Sequence, residues 1–96
     1  MLVKIHSSDK RTIVSICDKD LIGKKIEDKD LQIDISGYFY KGKEISEKET
    51  LKIIENADSL NIVGEKSIRF AVKNNLVDES QVIKIKNIPH AIIILR

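Results

Sequence analysis

A single cysteine, a single proline and no tryptophan occur among the 96 residues of this chain. Cys17 has no second cysteine to pair with, so the fold holds without an internal disulfide and suits a reducing compartment. No Cys-x-x-Cys or His-x-x-x-His spacing is present, which removes the common zinc sites, and no cofactor or metal is expected. No apolar run reaches membrane-spanning length, and Met1-Leu2-Val3-Lys4-Ile5 is too short for a secretory core, so a cytoplasmic protein without membrane contact is expected. There is no low-complexity tract, internal repeat or dividing linker, and the length allows one domain, residues 1–96. Separate substrate and cofactor domains are excluded. Strong charge of one sign is also lacking. The net charge is +2, far below the basic excess of a dedicated nucleic-acid binder.

What is present is a folding composition, 42% hydrophobic and 33% charged, with Ile throughout. High Lys, Glu and Ile with few Cys, Met and Gln matches heat-adapted proteins, a bias that AT-rich coding also produces. The charges are unevenly placed. Residues 18–34 mix Asp18, Asp20, Glu27, Asp28, Asp30 and Asp34 with Lys19, Lys24, Lys25 and Lys29, whereas residues 80–96 carry Lys84, Lys86 and Arg96 with no acid.

Alternation in Val3-Lys4-Ile5 and Thr12 to Cys17, with turn chemistry at Ser7 to Lys10, predicts an N-terminal hairpin. With Asp9-Lys10 as its turn, Ile5 faces Val14 and Val3 faces Ile16, a β-branched face. Leu2, Lys4, His6, Ile13, Ser15 and Cys17 then form the more exposed face. Ile22 to Ile26 and Leu31 to Ile35 predict two further strands around Asp28-Lys29-Asp30, continuing an antiparallel sheet. Ser36 to Lys43 reads as a surface loop or short extra strand.

Ser46 with Glu49 matches a capping box, predicting a helix to about Ala57. Asp58 to Val63 predicts a buried strand, and Ile68, Ala71 and Val72 a second helix from Glu65 to Asn74, with Asn74-Asn75 as a left-handed exit. Val82 to Ile85 and Ala91 to Leu95 predict closing strands separated by Asn87 to His90. Ile92 to Leu95 does not alternate, so its strand is expected to be covered on both faces. The fold class is α+β: a mixed sheet, N-terminal antiparallel hairpins and two helices in the order ββββ-α-β-α-ββ.

Gly64, Glu65, Lys66 and Ser67 stand where the buried strand bends into the second helix. Free N–H groups and the helix dipole make such a bend a candidate anion site. It is not a nucleotide-hydrolysing P-loop, since Ser59 stands where the first glycine belongs and Glu65 separates Gly64 from Lys66. Asp18-x-Asp20-x-x-Gly23 begins like a calcium loop, but Ile22 and Lys29 occupy the fifth and twelfth positions. Cys17 with His6 is ruled out as a catalytic pair: the hairpin register sets them about 13 Å apart at ~3.3 Å per residue. Tyr38, Phe39 and Tyr40 beside Lys41 and Lys43 form the one aromatic and basic cluster, a composition that stacks nucleobases or docks a hairpin onto a core.

Taken in order, Cys17-Asp18, Leu21 to Lys25, Leu31 to Ile35 leading into Tyr38 to Gly42, Asn61-Ile62-Val63-Gly64, Leu76-Val77-Asp78-Glu79 and Ile88 to Ala91 resemble archaeal domain of unknown function family 424. The resemblance covers nearly the whole chain. Asn74-Asn75 and Asp28-Lys29-Asp30 depart from it, since glycine-containing turns are expected there. It implies a small, single-domain archaeal cytosolic protein with an association with the translation apparatus, and no particular activity. It draws attention to Cys17-Asp18, Gly23-Lys24, Asn61 to Gly64 and Pro89-His90.

These readings lead first to a noncatalytic binding domain for RNA or ribosome-associated proteins, using Lys24, Lys25, Lys66, Lys84, Lys86 and His90 beside the Gly64 bend. A protein-interaction subunit is the second expectation, motivated by the apolar C-terminal strand. A small-molecule enzyme using Cys17, Asp18 or His90 is the third.

Overall fold

The computed structural model describes residues 1–96. Strands β1 (Leu2–Ser8) and β2 (Arg11–Cys17) form the expected hairpin, with Ile5 opposite Val14, Val3 opposite Ile16 and His6 opposite Ile13. Asp9 and Lys10 both take positive φ, 48° and 66°, as the tight turn between twisted strands requires. A 3₁₀ turn at Lys19–Leu21 follows, then β3 (Lys25–Asp28) and β4 (Leu31–Asp34). These two do not extend the first hairpin. They pair only with each other.

The segment expected as a loop or strand contains a one-turn helix, α1 (Gly37–Tyr40), begun where the Ser36 side chain accepts from the Phe39 N–H at 3.3 Å. A two-residue strand β5 (Lys43–Glu44) follows. Helix α2 (Glu47–Ile54) starts at Ser46, whose hydroxyl accepts from the Glu49 N–H at 3.1 Å. It stops short of Ala57. Strand β6 (Ser59–Val63) leads to helix α3 (Glu65–Lys73). That helix ends with Leu76 N–H on Ala71 O at 2.9 Å and Asn75 N–H on Val72 O at 3.1 Å. Asn75 sits at φ 59°, so asparagine serves in the left-handed position where glycine is commoner.

After a 3₁₀ turn at Glu79–Gln81, β7 (Ile83–Ile85) and β8 (Ile88–Ile94) close the fold. Their turn is only Lys86-Asn87, both at positive φ, so Ile88, Pro89 and His90 belong to β8 and not to the separating loop. The main sheet runs β5-β1-β2-β6-β8-β7. Within it β2 and β6 are parallel, and β6 and β8 antiparallel.

One face of the sheet packs under α2 and α3 around Val14, Ile16, Leu60, Ile62, Ile68, Phe70 and Ile93. The other face, expected to be exposed, is half covered. Cys17, Leu21, Ile33, Ile35, Tyr40, Val63 and Ile85 form a second core there, because β3, β4 and α1 lie across it. Leu2, Ser15 and Cys17 are therefore buried, whereas Ile5, assigned to the core face, is 52% exposed. Strand β8 corrects another expectation: Ile92 and Ile94 are 61% and 72% exposed, so the strand is not covered on both faces. No helix is long and apolar enough to cross a membrane.

Candidate functional site

Strand pairing brings together three of the segments singled out from sequence. Cys17 is opposite Val63 in the parallel ladder, and Val63 is opposite His90 in the antiparallel one. The Asp18 N–H donates to Val63 O at 3.1 Å, and the Gly64 N–H to Pro89 O at 2.9 Å. Gly23 and Lys24 lie where the chain leaves Leu21 for β3, with the Gly23 N–H on Ile35 O at 2.7 Å.

The start of α3 has its anion already. One Asp18 carboxylate oxygen accepts from the Lys66 N–H at 3.0 Å, and the other from the Ser67 N–H at 2.8 Å and the Ser67 hydroxyl at 2.7 Å. Gly64 at φ 111° has no side chain to cap the helix, so an aspartate distant in sequence does so. These bonds are charge-assisted, the stronger class, and the two from Ser67 are buried. Of the Glu65, Lys66 and Ser67 N–H groups expected to take an external anion, those of Lys66 and Ser67 are thus occupied. The bend is an internal clamp joining β2 to α3.

Cys17 does not form a nucleophilic centre with its neighbours. Burial, then the charges of Asp18 and Asp20, push its thiol up to about 12, and its Sγ donates to Asp18 O at 3.2 Å. His90 shares a sheet face with it but stands two strands away, about 10 Å at ~4.8 Å per strand. Asp18, the second residue offered for an enzyme, has its carboxylate committed to α3.

A different polar cluster stands at the margin between the covered and open halves of the second face. Tyr40 is buried against the sheet, and its hydroxyl donates to Asn61 Oδ1 at 2.7 Å. His90 Nε2 lies 3.0 Å from the same oxygen. Burial, and then the nearby Cys17, raise the Tyr40 hydroxyl to about 12 against the opposing hydrogen bond to Asn61. Burial also lowers His90. Both groups are neutral near pH 7, and since an oxygen only accepts, Nε2 carries the His90 proton. Nδ1 is left as an acceptor. Neither it nor Asn61 Nδ2 has a protein partner, and no unpartnered side-chain nitrogen or oxygen is buried. Both atoms therefore keep some access to solvent, one as a donor and the other as an acceptor.

Helix α1 holds Tyr40 in place through several ties to the sheet. The Phe39 ring stacks on His6 at 4.3 Å and meets Tyr40 edge-on at 4.9 Å. Phe39 O accepts from the Ser15 hydroxyl at 2.9 Å and lies 2.9 Å from His6 Nε2. Lys4 donates to Tyr38 O and sits 5.0 Å over the Tyr38 ring, which is 86% exposed. Beyond this latch the sheet is bare, presenting Ile13, Ile92 and Ile94 beside Asn61. His6, Tyr38 and Tyr40 join the site through tertiary placement.

The lysines named from sequence occupy separate neighbourhoods. Lys24 and Lys25 open β3. Lys66 borders a depression shared with Asp18, Lys19, Asp20 and Glu44. Lys84 lines a groove of about 670 Å³ against α3, with Arg69 and Lys73 but also Glu65 and Glu79. Lys86 is in the last hairpin turn.

The chain belongs to the family described as protein of unknown function (DUF424), whose model matches residues 5–95. A crystal structure of an uncharacterized conserved protein from Methanopyrus kandleri is similar, with a TM-score of 0.80 at 24% sequence identity, covering 99% of this chain and 92% of that one. That likeness shows a shared fold. No curated protein matches the chain.

Proposed function

We propose that this chain is a noncatalytic binding domain that takes single-stranded RNA on the open half of the second sheet face. The observation that carries the reading is the donor and acceptor at Asn61 Nδ2 and His90 Nδ1, held by Tyr40 beside an exposed apolar surface. Unpaired bases are recognised through this chemistry: hydrogen bonds to a base edge, with contact or stacking against its plane. Tyr38 supplies an exposed ring, and Lys4 and Arg11, which share the face by strand register, supply charge for phosphate. The setting is cytoplasmic, where Cys17 stays reduced.

Because the lysines are dispersed, the geometry favours recognition of bases over a dense phosphate contact. A shallow salt dependence follows. Fluorescence anisotropy with a labelled single-stranded RNA tests the reading. Asn61→Ala and Tyr38→Ala are each expected to weaken binding about tenfold, the order of one lost base contact, while the Lys84→Glu, Lys86→Glu double variant changes it little. Absence of RNA binding, or unchanged affinity in both single variants, would overturn it.

A further inference from the structure

The ladder between β7 and β8 ends at Ile83 and His90, so from Ala91 onward the outer edge of β8 carries no strand. The direction of its main-chain groups follows from the bonds on the other side. The Leu95 N–H reaches Asp58 O at 2.8 Å, and Pro89 O receives the Gly64 N–H, so odd-numbered residues turn toward β6. Ile92 and Ile94 turn their N–H and C=O outward, and their side chains are among the most exposed apolar groups of the molecule.

We propose that this edge pairs antiparallel with the same edge of a second copy about a two-fold axis at Ile93. Ile92 of each copy then lies opposite Ile94 of the other. Those residues carry the outward main-chain groups, so each such pair exchanges both hydrogen bonds. A two-fold contact needs only one self-complementary surface, and identical side chains flank Ile93. Nothing charged lies between Ala91 and Leu95 to repel a like edge. Arg96, the nearest charge, is turned back, with Nε on Ala57 O at 3.2 Å and its other end on Glu55 O. The opposite sheet edge is different. There β5 is Lys43-Glu44, with Lys41 just before it, the charged protection that edge strands ordinarily carry. A protein partner with a complementary charged edge has no counterpart on β8.

So short an edge covers less than the ~800 Å² per partner of a standard interface, which makes the dimer concentration-dependent. It places the open second faces of two copies side by side and does not depend on their binding RNA.

Sedimentation velocity on the full chain without RNA, from about 5 to 500 µM, spans the range expected of a weak association. A monomer–dimer equilibrium is expected. Ile94→Pro removes an N–H that serves only the outer edge, and Ile92→Lys adds a charge there. Each is expected to weaken the dimer at least tenfold while circular dichroism stays that of the wild type. If one variant misfolds, the other stands. Register is read independently by oxidation: an equal mixture of Ile92→Cys and Ile94→Cys chains is expected to cross-link faster than either alone, since opposed residues lie at disulfide distance. A monomer throughout the range, a folded Ile94→Pro or Ile92→Lys that dimerises like wild type, or equal cross-linking in mixed and separate samples overturns the proposal.

Discussion

The Asp18 carboxylate lies directly beneath Gly64, so that a Cβ at position 64 would be 2.3 Å from its Cγ. The glycine is required twice, for its φ of 111° and for this approach. Gly64→Ala is expected to cost about 2–4 kcal/mol, combining backbone strain with overpacking. Urea denaturation checks it. Asp18→Asn keeps the volume and loses the charge, and is expected to cost about 1.5–3 kcal/mol through the weakened bonds at the start of α3.

Cys17 provides the second prediction. A thiol pushed up to about 12 from an ordinary 9.0 holds about a thousandfold less thiolate at pH 8 than an unperturbed one. Native protein is therefore expected to react with iodoacetamide at least a thousandfold more slowly than urea-unfolded protein, with burial slowing it further. Labelling followed by mass spectrometry measures the ratio. A native rate near the unfolded one would restore Cys17 as a candidate nucleophile.

How much of this was legible in sequence depends on range. The first hairpin was readable because alternation and the Asp9-Lys10 turn are local, and together they set the register residue by residue. The second core was not. Nothing in Lys25 to Ile35 says whether that hairpin extends the main sheet or folds across it, and the answer decides whether Ser15 and Cys17 are buried. Helix α1 was missed because a single turn is too short for a periodic signal, although Ser36 is a good cap. The Gly64 bend was recognised as an anion site, yet its anion, Asp18, comes from the residue just after β2, distant in sequence. Asn61 and His90 stand in segments already singled out, but only the β6–β8 register brings them to one oxygen.

His90 gives a pH prediction. Burial lowers its pKa in the fold from the ordinary 6.5, so between the two values the unfolded chain binds more protons than the native one. Stability then rises with pH across that window. The His90 contribution is complete above about pH 6.5 and is lost as the pH falls toward the folded value. Urea denaturation at pH 5 and pH 7.5 is expected to show a smaller loss on acidification for His90→Gln than for wild type. Equal losses would mean that His90 takes its proton as readily in the fold as out of it.

Tyr40 separates the polar cluster's structural role from its binding role. Tyr40→Phe keeps the ring against Phe39 and the second core, and removes only the hydroxyl that holds Asn61 Oδ1. Asn61 retains His90 as a donor to that oxygen, so no buried acceptor is orphaned and the stability cost is expected to be about 0.5–1.5 kcal/mol. The amide, however, loses one of the two bonds that define its orientation. A preorganised donor loses affinity when ordering must be supplied on binding. RNA affinity measured by anisotropy is therefore expected to fall about three- to tenfold, corresponding to about 0.6–1.4 kcal/mol of lost binding free energy, in protein that remains fully folded at the assay temperature. Unchanged affinity with the expected stability loss would assign the Tyr40 bond to the fold alone and leave Asn61 oriented by His90.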